Sequence, residues 1–221
     1  MNNRRALIVF AREPVLGKVK TRLARDLGEV PTLKLYEAFV KDILKIAGRV
    51  NADRFLYYHG RPGFVPFLAR AAGRVFTLRR QTGGDLGVRM ERAFAFAFRQ
   101  GYKSCILIGS DCLTLAPEMI ERAFGFLKKN DCILGPSRDG GYYLIGLKEP
   151  EKQIFTGMPW STNEILGLTE RRLAAVGKTC RKLLQLEDID SSENLSRFKI
   201  NINKYPLITY TRAACKIINN I

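Results

Sequence analysis

Short apolar runs alternate with stretches of helical periodicity from the first residues onward. Ala6-Leu7-Ile8-Val9-Phe10 is a continuous apolar run, the pattern of a strand covered on both faces. Pro31 opens a segment with apolar residues at Leu35, Phe39, Ile43, Ile46 and Val50, which predicts a helix with proline at its start. Further strands are predicted over 55–58, 75–78 and 105–109, with helices near 64–71, over 86–98 and over 117–127. Two apolar runs at 132–134 and 142–145 flank the turn-prone Pro136-Ser137-Arg138-Asp139-Gly140-Gly141. Ser161-Thr162-Asn163-Glu164 has capping-box spacing and predicts a helix to about Ala175. A strand near 182–186 and a short helix after Asp190 complete the pattern. Such alternation means an α/β fold, with helices on both faces of a mainly parallel sheet. No linker, repeat or low-complexity stretch interrupts it, so one domain over 1–221 is expected.

Composition narrows the class. With 46% hydrophobic and 26% charged residues in 221, the chain suits one packed domain, and disorder is excluded. The net charge of +16 points to anionic partners, but the excess runs along the whole chain with no basic tail. A nucleic-acid or polyanion binder is therefore the competing class, and nucleic acid is not the expected partner. The single histidine, His59, rules out zinc sites with several imidazoles and any triad not built on it; it reads as a strand-end residue. Five cysteines without a C-x-x-C pair read as reduced thiols. The apolar run behind the basic opening covers only 6–11, too short for an export signal or a membrane span, so a cytoplasmic location is expected.

Four constellations carry candidate chemistry. The loop after the first strand gathers Arg12, Lys18, Lys20 and Arg22 around Gly17, where ligands of open α/β sheets sit. It matches neither the P-loop nor the dinucleotide glycine pattern, and a solvated basic loop is the plain alternative. Asp111 directly follows an apolar strand and could hold a divalent ion or cap a helix. Asp139-Gly140-Gly141-Tyr142 could bring backbone close to a ligand or simply turn a hairpin. Asp188 and Asp190 alternate along an extended segment and could join Asp111 at a metal, although Asp190 and Glu193 also have cap spacing. Gln81-Thr82-Gly83-Gly84-Asp85 is glycine-rich enough to lie against a base or ribose, and is equally a long loop.

Taken together, the blocks resemble a bacterial family catalogued partly as a domain of unknown function and partly as a transferase associated with radical-SAM and selenoprotein-type neighbours. That family lies within the nucleotide-diphospho-sugar transferase (GT-A) superfamily. The matching pieces are Phe10-Ala-Arg-Glu-Pro-x-x-Gly-Lys-Val-Lys-Thr-Arg-Leu23, Gly84-Asp-Leu-Gly-x-Arg-Met90, Ile108-Gly-Ser-Asp-Cys112, Gly135-Pro-Ser-x-Asp-Gly-Gly-Tyr-Tyr-Leu-Ile-Gly146, Trp160-Ser-Thr162 and Asp188-Ile-Asp190, in order across 10–190. The resemblance implies a three-layer GT-A-like (Rossmann-like) fold with a mixed, mainly parallel sheet. It also implies a transferase taking a nucleotide-sugar or NTP donor and a small-molecule acceptor, with Mg²⁺ or Mn²⁺ as cofactor. Glycosyl transfer is the first reading and nucleotidyl transfer the second. By the same resemblance, Asp111, Asp139 and Lys20 are the expected reacting centre. Arg12, Gly17, Lys18, Lys20, Arg22, Gly84, Asp85 and Arg89 are expected to hold nucleotide and phosphate. Gly140, Gly141, Tyr142 and Trp160 are expected at the acceptor or sugar, with Asp111, Asp190 and Asp188 at the metal. The family's usual proline two residues after the metal aspartate is here Leu113.

Overall fold

The structure, a computed structural model, describes residues 4–219, so the first three and last two residues of the expected 1–221 domain lie outside the described part. Strand β1 (Arg5–Arg12) leads into α1 (Thr21–Leu27) and α2 (Glu29–Ala47). β2 (Asp53–His59), α3 (Val65–Ala72), β3 (Thr77–Arg80) and α4 (Leu86–Arg99) follow. β4 (Ser104–Ile108), α5 (Pro117–Phe126) and the hairpin of β5 (Cys132–Pro136) and β6 (Tyr142–Leu147) come next. α6 (Ile165–Ala175), β7 (Cys180–Lys182), α7 (Ser192–Asn201) and α8 (Tyr210–Asn219) close the chain. The sheet order is β3-β2-β1-β4-β6-β5-β7, and β6 alone runs against the others. The expected mixed, mainly parallel α/β sheet is therefore the one observed.

The continuous apolar run of β1 is explained by its place at the centre of the sheet. Leu7, Val9 and Ala11 enter a core shared with α1, α2, α3, α5, α7 and α8, whereas Ala6, Ile8 and Phe10 enter a second core beneath α4 and α6. All six are buried. Each strand must satisfy two apolar layers, so alternation disappears and only the run remains.

Several local expectations are corrected. α2 begins at Glu29, two residues before Pro31, because proline's missing N–H is harmless anywhere in a first turn. The third strand is shifted to Thr77–Arg80; Val75 sits in a preceding 3-10 turn, and an edge strand needs no continuous apolar run. The Ser161–Glu164 capping box does not form. Ser161 has φ +73°, outside the extended region a cap requires, and Thr162 Oγ1 donates to Pro159 O at 2.9 Å. The last predicted helix starts at Ser192, and its box is made by Ser191 and Asn194, not by Asp190 and Glu193. α8 was not expected. It is anchored by Asp42, fully buried on α2, which accepts from the N–H groups of Thr209, Tyr210 and Thr211 at 3.0, 3.1 and 2.7 Å. A carboxylate there meets both the free amides and the positive end of the helix dipole. Among the described residues, no helix is long and apolar enough to cross a membrane.

Candidate functional site

The candidate site lies where β1, β4 and the segment after β7 end side by side. Arg12 closes β1, and its N–H donates to the Tyr36 hydroxyl at 2.9 Å. Ser110 Oγ lies 3.4 Å from the same hydroxyl and donates to Asp111 Oδ1 at 2.7 Å. The loop that follows β1 reverses at Gly17 (φ +69°), where a Cβ would crowd the Glu29 carboxylate, and then reaches Lys20. Lys20 is itself left-handed at φ 47° and ψ 47°, a conformation that costs a non-glycine residue about 1–2 kcal/mol.

That backbone aims the Lys20 ammonium between two carboxylates. Nζ donates to Asp111 Oδ2 at 2.6 Å and also to Asp190 Oδ1. Asp190 arrives because the Ile189 N–H donates to the Asp111 carbonyl at 3.2 Å, stitching the two carboxylate-bearing segments together. The Lys20 side chain is only 5% exposed. Burial works against its charge, yet the two carboxylates outweigh burial and hold the ammonium above its ordinary pKa. Burial likewise opposes the Asp111 charge, and Lys20 more than offsets it, so that carboxyl lies below its usual range.

Asp188 stands apart from this pair. Ser137 Oγ donates to it at 3.0 Å, and burial together with the Asp111 charge pushes its pKa up to about 7. Leu113, in the place of the family's proline, is 1% exposed and packed in the larger core, so side-chain packing holds the backbone after Asp111.

Arg12, Lys18 and Arg22 are exposed, and their charged groups make no ion pair among the described residues. Beside them opens a cleft of about 510 Å³ lined by Glu13, His59, Gly60, Arg61, Arg80, Gln81, Thr82 and Gly83. Gln81 Nε2 ties three strand ends together by donating to Ala11 O at 3.3 Å and Tyr57 O at 3.0 Å. Burial and the charges of Arg89, Arg12 and Arg80 lower the His59 pKa, so the field in this cleft is positive. His59 is the last residue of β2, as expected. His59, Arg61 and Arg80 were not among the expected ligand residues. Their signal was position, since His59 and Arg80 are the carboxyl ends of their strands.

The remaining expected residues have visible structural duties. Asp85 caps α4 by accepting from Val88 N at 2.8 Å, and Arg89 donates to the Gly84 carbonyl at 2.6 Å. Asp139 accepts from Gly141 N at 3.0 Å within the β5–β6 turn. The close approach that Gly140 permits is to protein: at φ +88° a Cβ there would collide with the Asn163 backbone, and its carbonyl accepts from Leu166 N. Tyr142 and Trp160 pack against the smaller core, and Trp160 lies over Gly87 of α4. None of these residues bonds to Lys20, Asp111 or Asp190.

Asp111 and Asp190 are hard oxygen donors converging on one point, which suits Mg²⁺ or Mn²⁺. The ammonium of Lys20 stands at that point. Among the described residues, no group of three or more His, Cys, Asp or Glu is arranged to hold a metal ion. A divalent ion there would need oxygens from a ligand to complete its shell.

The whole chain is similar to a candidate nucleotide-diphospho-sugar transferase from Desulfovibrio desulfuricans G20. The two share 28% identity over 98% of this chain and 97% of that one, with a TM-score of 0.88. The fold is shared more distantly with the 4-diphosphocytidyl-2C-methyl-D-erythritol synthase of Anaerococcus prevotii DSM 20548, at 9% identity, 91% and 96% coverage and a TM-score of 0.60. It is also shared with glucosyl-3-phosphoglycerate synthase of Mycobacterium tuberculosis, solved with Mn²⁺, UDP and phosphoglyceric acid, at 12% identity, 85% and 70% coverage and a TM-score of 0.52. No curated protein matches the chain. Residues 43–162 match the family described as an uncharacterized protein conserved in bacteria (DUF2064), and the chain belongs to that family.

Proposed function

We infer that the protein is a metal-dependent transferase that takes a nucleotide-diphospho-sugar as donor and passes the sugar to a small-molecule acceptor. The observation that carries this reading is the convergence of Asp111, Asp190 and Lys20 at the carboxyl ends of β1 and β4, beside a cationic cleft. The similarity to the Desulfovibrio protein supports a transferase, and the Mn²⁺ and UDP held by the mycobacterial synthase are consistent with it.

In this reading the nucleotide lies along the cleft lined by His59, Arg80, Gln81 and Gly83, with Gly84, Asp85 and Arg89 behind it. Arg12, Lys18 and Arg22, exposed on one loop, neutralise the diphosphate. Asp111 and Asp190 would hold the divalent ion, with Asp188 close by; bound there, the ion would offset charge on the departing phosphate. Lys20 leaves the two carboxylates and donates to a phosphate oxygen, where a fixed cation stabilises the charge that develops as the bond breaks. Asp139, on the β5–β6 turn, receives the acceptor's proton, and Gly141, Tyr142 and Trp160 flank that side.

Nucleotidyl transfer is the second reading. Four cations in one loop can also neutralise a triphosphate, whose cleavage would move an NMP to a phosphorylated acceptor. A thermal-shift screen of UDP-sugars, GDP-sugars and NTPs, each with and without Mn²⁺, tests both. The expected result is stabilisation by a nucleotide-sugar that depends on Mn²⁺, followed by release of nucleoside diphosphate. Pyrophosphate release with an NTP selects the second reading. Absence of metal-dependent stabilisation by any nucleotide refutes both.

A further inference from the structure

We propose that Cys132 and Cys180 form a peroxide-reactive thiol pair that closes into an intramolecular disulfide between β5 and β7. The two are direct partners in the parallel register of these strands, so their side chains leave the same face of the sheet. Neighbouring strands lie about 4.8 Å apart, within the roughly 4.4–6.8 Å Cα separation that a disulfide spans. As register partners on one face, the two side chains stand next to each other. Cys132 is fully buried in the smaller core, and Cys180 packs on that core while remaining partly exposed. No other cysteine has this arrangement: Cys105 is opposite Ala6 and Leu147, and Cys112 and Cys215 are buried away from the β5–β7 pairing.

The pairing divides the chemistry between the two sulfurs. The neighbouring Cys132 thiol holds the Cys180 thiol below its ordinary pKa, while Cys180 and burial raise that of Cys132. Cys180 is therefore the accessible nucleophile and Cys132 the resolving thiol. Cys180 thiolate attacks one oxygen of hydrogen peroxide; an S–O bond forms, the O–O bond breaks, and hydroxide leaves and is protonated to water. Cys132 sulfur then attacks the Cys180 sulfenic acid, forming the S–S bond and expelling a second water. Two thiols are oxidised by two electrons in total and one peroxide is reduced. The bridge would pin a three-residue edge strand whose continuation pairs through Leu183 N to Leu134 O at 2.8 Å and Leu186 N to Pro136 O at 3.0 Å. That continuation leads to Asp188 and Asp190, although the pair itself does not depend on the function inferred above.

The test treats the folded, reduced chain with hydrogen peroxide near stoichiometry, blocks free thiols with an alkylating agent and maps non-reduced tryptic peptides. The expected product joins peptide 130–138 to peptide 179–181 with the loss of two hydrogen masses, and a dithiol reductant reverses it. Cys132→Ala should instead leave Cys180 as a sulfenic acid trapped by a 1,3-diketone, and this partly exposed thiol reads out whether or not the bridge forms. Cys180→Ser should leave Cys132 reduced. Alkylation of both thiols after peroxide, oxidation of Cys180 to sulfinic acid without a crosslink, or a Cys180–Cys180 dimer would overturn the proposal.

Discussion

Replacing Lys20 by methionine removes the ammonium while keeping most of the apolar stem that the chain buries. Two carboxylates, Asp111 and Asp190, then face each other across an uncharged group. Removing one partner from a buried ion pair costs about 3–5 kcal/mol. Here the Lys20 side chain is 5% exposed, but those of Asp111 and Asp190 are 35% and 40% exposed, so water screens part of their repulsion. A loss of about 2–3 kcal/mol follows, which for a chain of this size lowers Tm by roughly 5–10 °C. The substitution also vacates the point on which the two carboxylates converge. Millimolar Mn²⁺ should therefore raise the Tm of the variant by more than that of the wild type, since binding to the folded state alone stabilises it by RT ln(1 + [L]/Kd). Differential scanning fluorimetry at pH 7.5, with Mn²⁺ titrated into both proteins, reads both effects. A variant as stable as the wild type, gaining no more from Mn²⁺, would show that the ammonium neither holds the carboxylates together nor occupies the place of an ion.

Three further outcomes are expected. Asp42→Ala strips three N–H groups at the start of α8 of their acceptor and should cost about 2–4 kcal/mol in urea unfolding; an unchanged midpoint would mean α8 docks without it. His59, as the only histidine, gives a single imidazole Hε1 resonance by NMR, titrating below 6.5 because of burial and the charges of Arg89, Arg12 and Arg80. Its contribution to stability is then complete above the unfolded value and is lost as the pH falls through the folded one. A nucleotide diphosphate in the cleft should move the resonance's midpoint upward, and a midpoint at or above 6.5 in the free protein would contradict the field described. Gly140→Ala combines φ +88° with a collision against Asn163 and should lower stability by about 2–4 kcal/mol; full stability with altered turnover would instead make Gly140 a ligand contact.

The sequence by itself determined the layers of this protein. Continuous apolar runs such as Ala6–Phe10 demand two covered faces, and 3.6-residue periodicity at Met90, Phe94 and Ala97 demands a helix that covers one of them. It also placed the cations of the first loop and Asp111 beside strand ends, where a sheet of this class binds ligands. What it left open depends on groups distant along the chain. Lys20 meets Asp190 across 170 positions, and Asp42 anchors α8 across 167 to 169, and no local pattern records either pairing. Nor could spacing separate Asp188 from Asp190, which share an extended segment yet face Ser137 and Lys20 respectively. Periodicity reports how each element meets the core. The tertiary structure alone decides which charges meet at its edge, because Coulombic and hydrogen-bond partners are set by distance in space.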